Sequence, residues 1–576
     1  IGDGLSTSTC LKELDLDDCP DLSSIPNLEG FSSLQYLSVK RCDKLEVLPI
    51  TGGCSSLEKF CISRCEKLSK IGEGLSTSTC LEELDLDDCP DLSSIPNLEG
   101  FSSLQYLSVL WCNKLEVLPI TGRCSSLEKL RISSCEKLSK IGDGLPTSTC
   151  LKELDLDDCP DLSSIPNLEG FSSLQYLSVK RCDKLEVLPI TGGCSSLEKF
   201  CISRCEKLSK IEDGLSTSTC LNKLDLDYCP DLSSIPNLEG FSSLQYLSVK
   251  RCDQLESFPL KAPLSSLKEL RIRDCPNLKP IPSLDGPSSL TKLEFENVGE
   301  EWSRLLRNML QSNVSLCSLT ILNLPDPTWI QDDSLGRLNC LRALATGGFS
   351  EELQEFPWPS SIQYLSASLL VLKLTGWEKL KSLPHQLQFF TALEKMTIEG
   401  FQGVEAFPEW LGNLSSLKRL YLSGFGKLKS LPYQLHLPTA LEDLTFMGFQ
   451  GIEAFPERLG NLSSLKRLYL SGFGKLKSLP HQLHLPTTLE DLTIHSFHEI
   501  EALPDSFRNL SSLERLSIGL CDKLMYLPSV DVMRSLSKLE IIDIVGCPQL
   551  KTRCERESGP ECCKISHIPY VFINDW

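Results

Sequence analysis

Cysteine, aspartate and histidine are the residues of this chain whose number and spacing could carry chemistry, and each fails the test its chemistry sets. There are 28 cysteines, but zinc needs four ligands converging on a point, usually through paired short spacings such as C-x2-C. Cys19, Cys42, Cys65, Cys89, Cys112 and Cys135 instead recur singly, in a line, at similar intervals. That pattern suits buried thiols acting as small hydrophobes with a weak S–H donor. The run Asp15-x-Asp17-Asp18 has the start of a calcium loop but no central glycine and no closing glutamate at the required intervals. The 7 histidines are scattered, and His385, His436, His481, His484 and His495 recur only because the segments around them do. No G-x-x-x-x-G-K-[ST], H-E-x-x-H or G-x-S-x-G motif is present. The reading is no enzyme, no metal and no cofactor in this chain. Asn313, Asn413, Asn461 and Asn509 open Asn-x-Ser sequons, three of them inside a recurring Gly/Arg-Asn-Leu-Ser-Ser-Leu turn that explains them without glycosylation.

The spacing of the cysteines points to the elements that hold them. Ile1-Gly2-Asp3-Gly4-Leu5 returns at Ile71, Ile141 and Ile211, an offset of about 70 residues through four copies. Each copy holds three units, beginning at Leu11, Leu34 and Leu57 in the first, that fit L-x-x-L-x-L-x-x-C-x-x-L. A second array starts near Leu369 with units of about 24 residues, in which Phe401, Phe425, Phe449, Phe473 and Phe497 replace the cysteine. In Leu14-Asp15-Leu16 the alternation turns both leucines inward and Asp15 outward, the period of a short strand. One such turn cannot bury its leucines, whereas stacked turns can. The expected fold is therefore an α/β leucine-rich-repeat solenoid of roughly 23 repeats, a curved horseshoe with a parallel sheet on its concave face and short helical or irregular segments opposite.

Domain organisation reads as a first array over 1–293, an irregular junction over 294–368, a second array over 369–550 and a cap over 551–576. Within the junction, 301–311 reads as an amphipathic helix with Trp302, Leu305, Leu306, Met309 and Leu310 on one face, and three irregular turns or a hinge fit equally. The net charge of -20 argues against capture of nucleic acid, which needs clustered Lys and Arg, and favours protein partners of basic or mixed charge. No apolar run is long enough to span a bilayer. Regularly spaced rather than clustered cysteines favour reduced thiols and a cytoplasmic setting. The chain opens in mid-pattern and reads as a fragment.

In a solenoid, function resides on the outward strand positions. The first array offers Asp15 and Asp17, with Asp85 and Asp87 a copy later, as an acidic row; Lys40 and Arg41, Lys180 and Arg181, and Lys250 and Arg251 as a basic row; and Arg64 and Arg131 in the third units. Where three copies carry Lys-Arg, the second has Leu110-Trp111. That pair has the composition of a binding hot spot, and drift on a solvated face would read the same. In the second array, Lys418-Arg419, Glu442-Asp443, Lys466-Arg467 and Glu490-Asp491 form a charge ladder supporting the sheet, leaving Tyr421 and Tyr469 as the better contact candidates.

Residues 34–49, residues 513–528 and the ending Cys547-Pro-Gln-Leu, Arg553-Cys554-Glu-Arg-Glu and Lys564-Ile-Ser-His-Ile-Pro569 resemble plant nucleotide-binding leucine-rich-repeat resistance proteins of the coiled-coil class. The chain departs from that family at Cys562-Cys563, where Asp-Trp is usual. The resemblance covers the repeat half only, so ADP or ATP would be expected solely in a nucleotide-binding module outside this sequence. It implies recognition of a pathogen effector or a guarded host protein, and an intramolecular contact restraining that module. The rival readings are an extracellular receptor ectodomain, whose Leu-x-Gly-x-Ile-Pro turns are not found here, and an F-box substrate adaptor.

Overall fold

The computed structural model describes residues 9–574, apart from 122–123, 146–148, 236–240, 260–263, 282–283, 285–288, 332–333, 351, 433–434, 460–461 and 555–558. The Ile1–Leu5 marker, the Asn461 sequon and Glu555-Arg556-Glu557 of the family-like ending lie outside the described residues. The chain forms two compact units, one of Ile1–Leu290 with Asn297–Leu305, the other of Thr291–Glu296 with Leu306–Trp576.

Each unit is a leucine-rich-repeat solenoid built on parallel strands, twelve in each among the described residues. In the first unit they run from Glu13–Asp17 to Glu269–Cys275, paired without slippage: Leu14 opposite Leu37, Leu37 opposite Phe60, Phe60 opposite Leu84. Positions two and four of every strand point inward, as in the fully buried Leu84 and Leu86 of Glu83–Asp87. A register slip of one residue would expose that whole set, so burial of one face fixes the register. Three of the four 70-residue copies add a second small pairing on the far side of the core among the described residues, such as Val47–Leu48 with Lys70–Ile71, which the repeat motif did not announce.

One conformational feature repeats through both units. The residue that follows most of the five-residue strands adopts a left-handed backbone: Asp18 at φ 53°, Arg41 at 51°, Arg64 at 53° and Trp111 at 54° in the first unit, Gly400, Gly424, Gly448 and Gly472 at 70–76° in the second. An L-residue is penalised there by about 1 kcal/mol. The conformation persists because it aims the N–H at the end of the next strand, as Asp18 N–H donates to Lys40 O at 3.1 Å and Gly400 N–H to Ser423 O at 3.0 Å.

It also turns the following side chain into the core. In the first unit that side chain is the cysteine: Cys42 donates to Leu16 O at 3.5 Å and Cys135 to Val109 O at 3.6 Å. Burial pushes the Cys42 and Cys112 thiols up to about 12. Cys19, on the first described strand, is only half-buried, because no described strand stacks before it. In the second unit the position holds a ladder of phenylalanines, with Phe449 stacked 5.2 Å from Phe425 and 5.6 Å from Phe473.

Between the two regular stretches, Lys292–Val298, Ser318–Leu322 and Ala343–Gly347 are strands of the same kind, so this stretch consists of repeats carrying helical insertions. The helix runs Trp302–Ser312, and all five apolar residues of its expected face are buried. Trp302 donates its indole N–H to Leu278 O at 2.8 Å. Asn313 is buried and donates to Met309 O at 2.8 Å, the role of a helix-end residue. Asn413 and Asn509 close short 3-10 turns, as the turn reading requires. At the other end the tail forms helices Pro548–Cys554 and Cys562–Ile565 and a final strand, Tyr570–Asn574, paired in parallel with Ile541–Val545.

Candidate recognition surface

Alternation along five-residue strands leaves three outward rows, at positions one, three and five, and the left-handed residue adds a fourth row along the sheet's edge. Asp15, Asp85 and Arg131 stand in the middle row, whose register runs Asp85, Ser108, Arg131, Asp155. Asp17, Asp87, Lys40, Lys180, Lys250 and Leu110 close their strands in the third row. Arg41, Arg64, Trp111, Arg181 and Arg251 lie outside the strands altogether. The sequence reading grouped Lys40 with Arg41 and Leu110 with Trp111, but the left-handed turn between them sends the second member of each pair to the edge.

The middle row is tighter than alternation suggests. Ser38, Ser108, Ser178 and Ser248 are outward yet buried, because their small side chains sit between larger neighbours on both adjacent strands. Crowding removes water from Asp85 and raises its carboxyl above the usual range, chiefly by burial, against a lowering interaction with Ser108.

The acidic and basic rows are not independent surfaces either. Arg41 reaches back one strand, placing Nη2 3.0 Å from Asp17 and Nε on Asp18. Arg181 repeats this at 2.9 Å from Asp157 and 3.4 Å from Asp158, and Arg251 sits 2.8 Å from Asp227. The hydrogen bond from Arg41 holds the Asp18 carboxyl below its ordinary value. Arg64 and Arg41 join Asp18 and Asp88 around a shallow edge groove of about 740 Å³. Arg131 is exposed on the sheet face, away from that groove.

The first outward row of the first unit holds tyrosines that the sequence reading missed. It carries Tyr36, Tyr106, Tyr176 and Tyr246 in Tyr-Leu-Ser-Val strands, each half-buried beside a charged neighbour. Lys59 pairs with Glu83 at 3.0 Å and Lys129 with Glu153 at 2.9 Å along the same row, while Lys223 and Arg271 lie over the Tyr246 ring at 4.9 and 5.3 Å. The signal was available: the alternation that turns Leu37 inward turns Tyr36 outward.

In the second unit Arg419, Asp443, Arg467 and Asp491 align across successive strands. Asp443 receives Arg419 at 3.3 Å and Arg467 at 2.6 Å. Tyr421 and Tyr469 flank Thr445 in the middle row and line a groove of about 440 Å³ with Met447, whose sulfur accepts the Tyr421 hydroxyl at 3.4 Å. Among the described residues no cluster of three or more His, Cys, Asp and Glu side chains could hold a metal ion, and no helix is long and apolar enough to cross a membrane.

Residues 145–276 match the family described as plant disease resistance protein RPS2-like, leucine-rich repeats. A search of curated protein sequences returns no relative. Similar solved structures include the TLR13–ssRNA13 complex, 16% identical over 95% of this chain and 89% of that chain with a TM-score of 0.42. A Leptospira interrogans leucine-rich-repeat protein is 17% identical over 94% of this chain and 97% of its own, with a TM-score of 0.33. A Listeria monocytogenes internalin is 16% identical over 60% of this chain and 87% of its own, with a TM-score of 0.38. The repeat fold and the family match together support a leucine-rich-repeat protein-interaction region whose residues 145–276 are similar to the plant resistance type.

Proposed function

We propose that this chain is the ligand-recognition and autoregulatory region of an intracellular plant immune receptor, sensing a pathogen effector directly or through a guarded host protein. The observation that carries the reading is the match of residues 145–276 to plant resistance-type repeats, on a fold that presents row upon row of outward side chains and buries the rest. Rows of this kind suit a protein surface, since they offer many shallow contacts rather than one enclosed pocket. The cysteines support a reducing, cytoplasmic setting: those of the ladder are thiols committed to backbone carbonyls. A nucleotide-binding module in a longer parent would be the intramolecular partner, and ADP or ATP would bind there.

The test is to obtain the transcript upstream of Ile1 and express the product, with and without these repeats, in leaf cells while scoring cell death. A phosphate loop upstream and a death response changed by removing the repeats is the expected result. An upstream signal peptide or F-box would overturn the proposal in favour of a receptor ectodomain or a substrate adaptor.

A further inference from the structure

The four 70-residue copies act as controls for one another. The last residue of the first strand and the turn residue after it are Asp17-Asp18, Asp87-Asp88, Asp157-Asp158 or Asp227-Tyr228 in the successive copies. In three copies an arginine on the next turn folds back onto that pair, as Arg41, Arg181 and Arg251 do at 2.8–3.0 Å. In the fourth copy the same guanidinium also lies 5.4 Å from the centre of the Tyr228 ring. Acid, guanidinium and aromatic face are therefore compatible in one site of this fold.

The second copy keeps the frame and lacks the arginine. Asp88 has φ 50° and donates its N–H to Leu110 O at 3.0 Å, matching Asp18 with φ 53° and its bond to Lys40 O at 3.1 Å. Trp111 stands where the arginine would be, 53% exposed. Leu110 replaces the lysine of the other three copies, so that row offers no ammonium in exchange. Arg64, one strand earlier, borders the groove but makes no ion pair with either acid, and neither Asp87 nor Asp88 is paired with a cation among the described residues.

We propose that Asp87, Asp88 and Trp111 form a socket for an arginine side chain presented by a protein partner. The guanidinium forks onto the two carboxylates as Arg41 and Arg181 do within the chain, and lays its face on the indole as Arg251 lies on Tyr228. Arginine is favoured over lysine because only the planar fork makes two parallel bonds to carboxylate while stacking on a ring. The inference rests on the outward rows being a protein-binding surface, and is independent of the immune assignment.

The test follows the indole N–H resonance of Trp111 in the full chain, labelled at tryptophan, during titration with capped tetra-arginine, tetra-lysine or tetra-glutamate. Tetra-arginine is expected to shift that resonance at concentrations roughly tenfold below those needed with tetra-lysine, with tetra-glutamate inert. W111R restores the arginine of the other copies and removes the reporting indole, so its affinity is read by titration calorimetry against the same peptide, and tetra-arginine binding is expected to weaken by roughly tenfold. R41W transplants the second copy's arrangement into the first and adds a second responding indole. Both variants carry residues that equivalent positions already hold, so folding is retained. Unchanged tetra-arginine affinity in W111R, no second response in R41W, or equal response to lysine and arginine would each overturn the socket. Such a failure leaves the cell-death result untouched, so the two readings fail separately.

Discussion

Breaking the ion pair between Glu561 and Lys564 should release the C-terminal tail. Their side chains are 4% and 15% exposed and sit 2.7 Å apart. Glu561 also accepts the Leu527 N–H at 2.9 Å, and Lys564 donates to Leu527 O at 2.9 Å, so the pair stitches the short helix Cys562–Ile565 to an earlier repeat. Removing one partner leaves the other charge largely buried and without its counter-ion. Lys564→Met should therefore destabilise the tail by about 3–5 kcal/mol. Glu561→Gln keeps an acceptor for Leu527 N–H and should destabilise it by roughly half as much. The double variant should fall well short of the sum, because its penalty no longer includes an unpaired buried charge. Hydrogen exchange at Ile541–Val545 and Tyr570–Asn574 reads this locally, since neighbouring repeats open in small cooperative groups. If the double variant equals the sum of the singles, the two side chains are not coupled and the reasoning is wrong.

Two further outcomes follow from the ladders. Burial pushes Cys54, Cys124 and Cys194 up to about 11 and Cys42 and Cys112 to about 12; at pH 8 roughly one in a thousand or fewer is thiolate. Iodoacetamide should then label the exposed Cys80, Cys150, Cys220 and Cys340 in the native chain and spare the buried set, with labelling of the latter rising only as pH approaches 11. Equal labelling of Cys80 and Cys42 at pH 8 would contradict the packing. In the second unit, Phe449→Ala removes a fully buried ring from between two stacked partners and should destabilise its neighbourhood by about 3–5 kcal/mol. Exchange at Asp443–Met447 and Arg467–Ser471 would measure it, and a change below about 1 kcal/mol would mean the ladder is loosely packed.

The repeat motif carries most of the fold. Alternating leucines dictate strands, and a strand apolar on one face must stack, so the solenoid and its inward set were legible from Leu14 and Leu16 onward. The helix was legible too, because Trp302, Leu305, Leu306, Met309 and Leu310 share one face whatever they pack against. What the line of residues could not show was where each outward side chain goes. Arg41 and Trp111 follow Lys40 and Leu110 in sequence, yet they leave the sheet face through a left-handed turn. The glycines at 400, 424, 448 and 472 marked that turn plainly in the second array, while arginine, aspartate and tryptophan concealed it in the first.

Sequence by itself determined the repeat, its register and its buried ladder, because those depend on periodicity, a property of one strand and its neighbour. Tertiary structure alone decided which charges are free. Whether Arg41 is a ligand-facing cation or the internal partner of Asp17 and Asp18 depends on a reach of a few ångströms between turns about 23 residues apart. That distance is set by backbone conformation at the strand's end, and in the first array no residue type announces it.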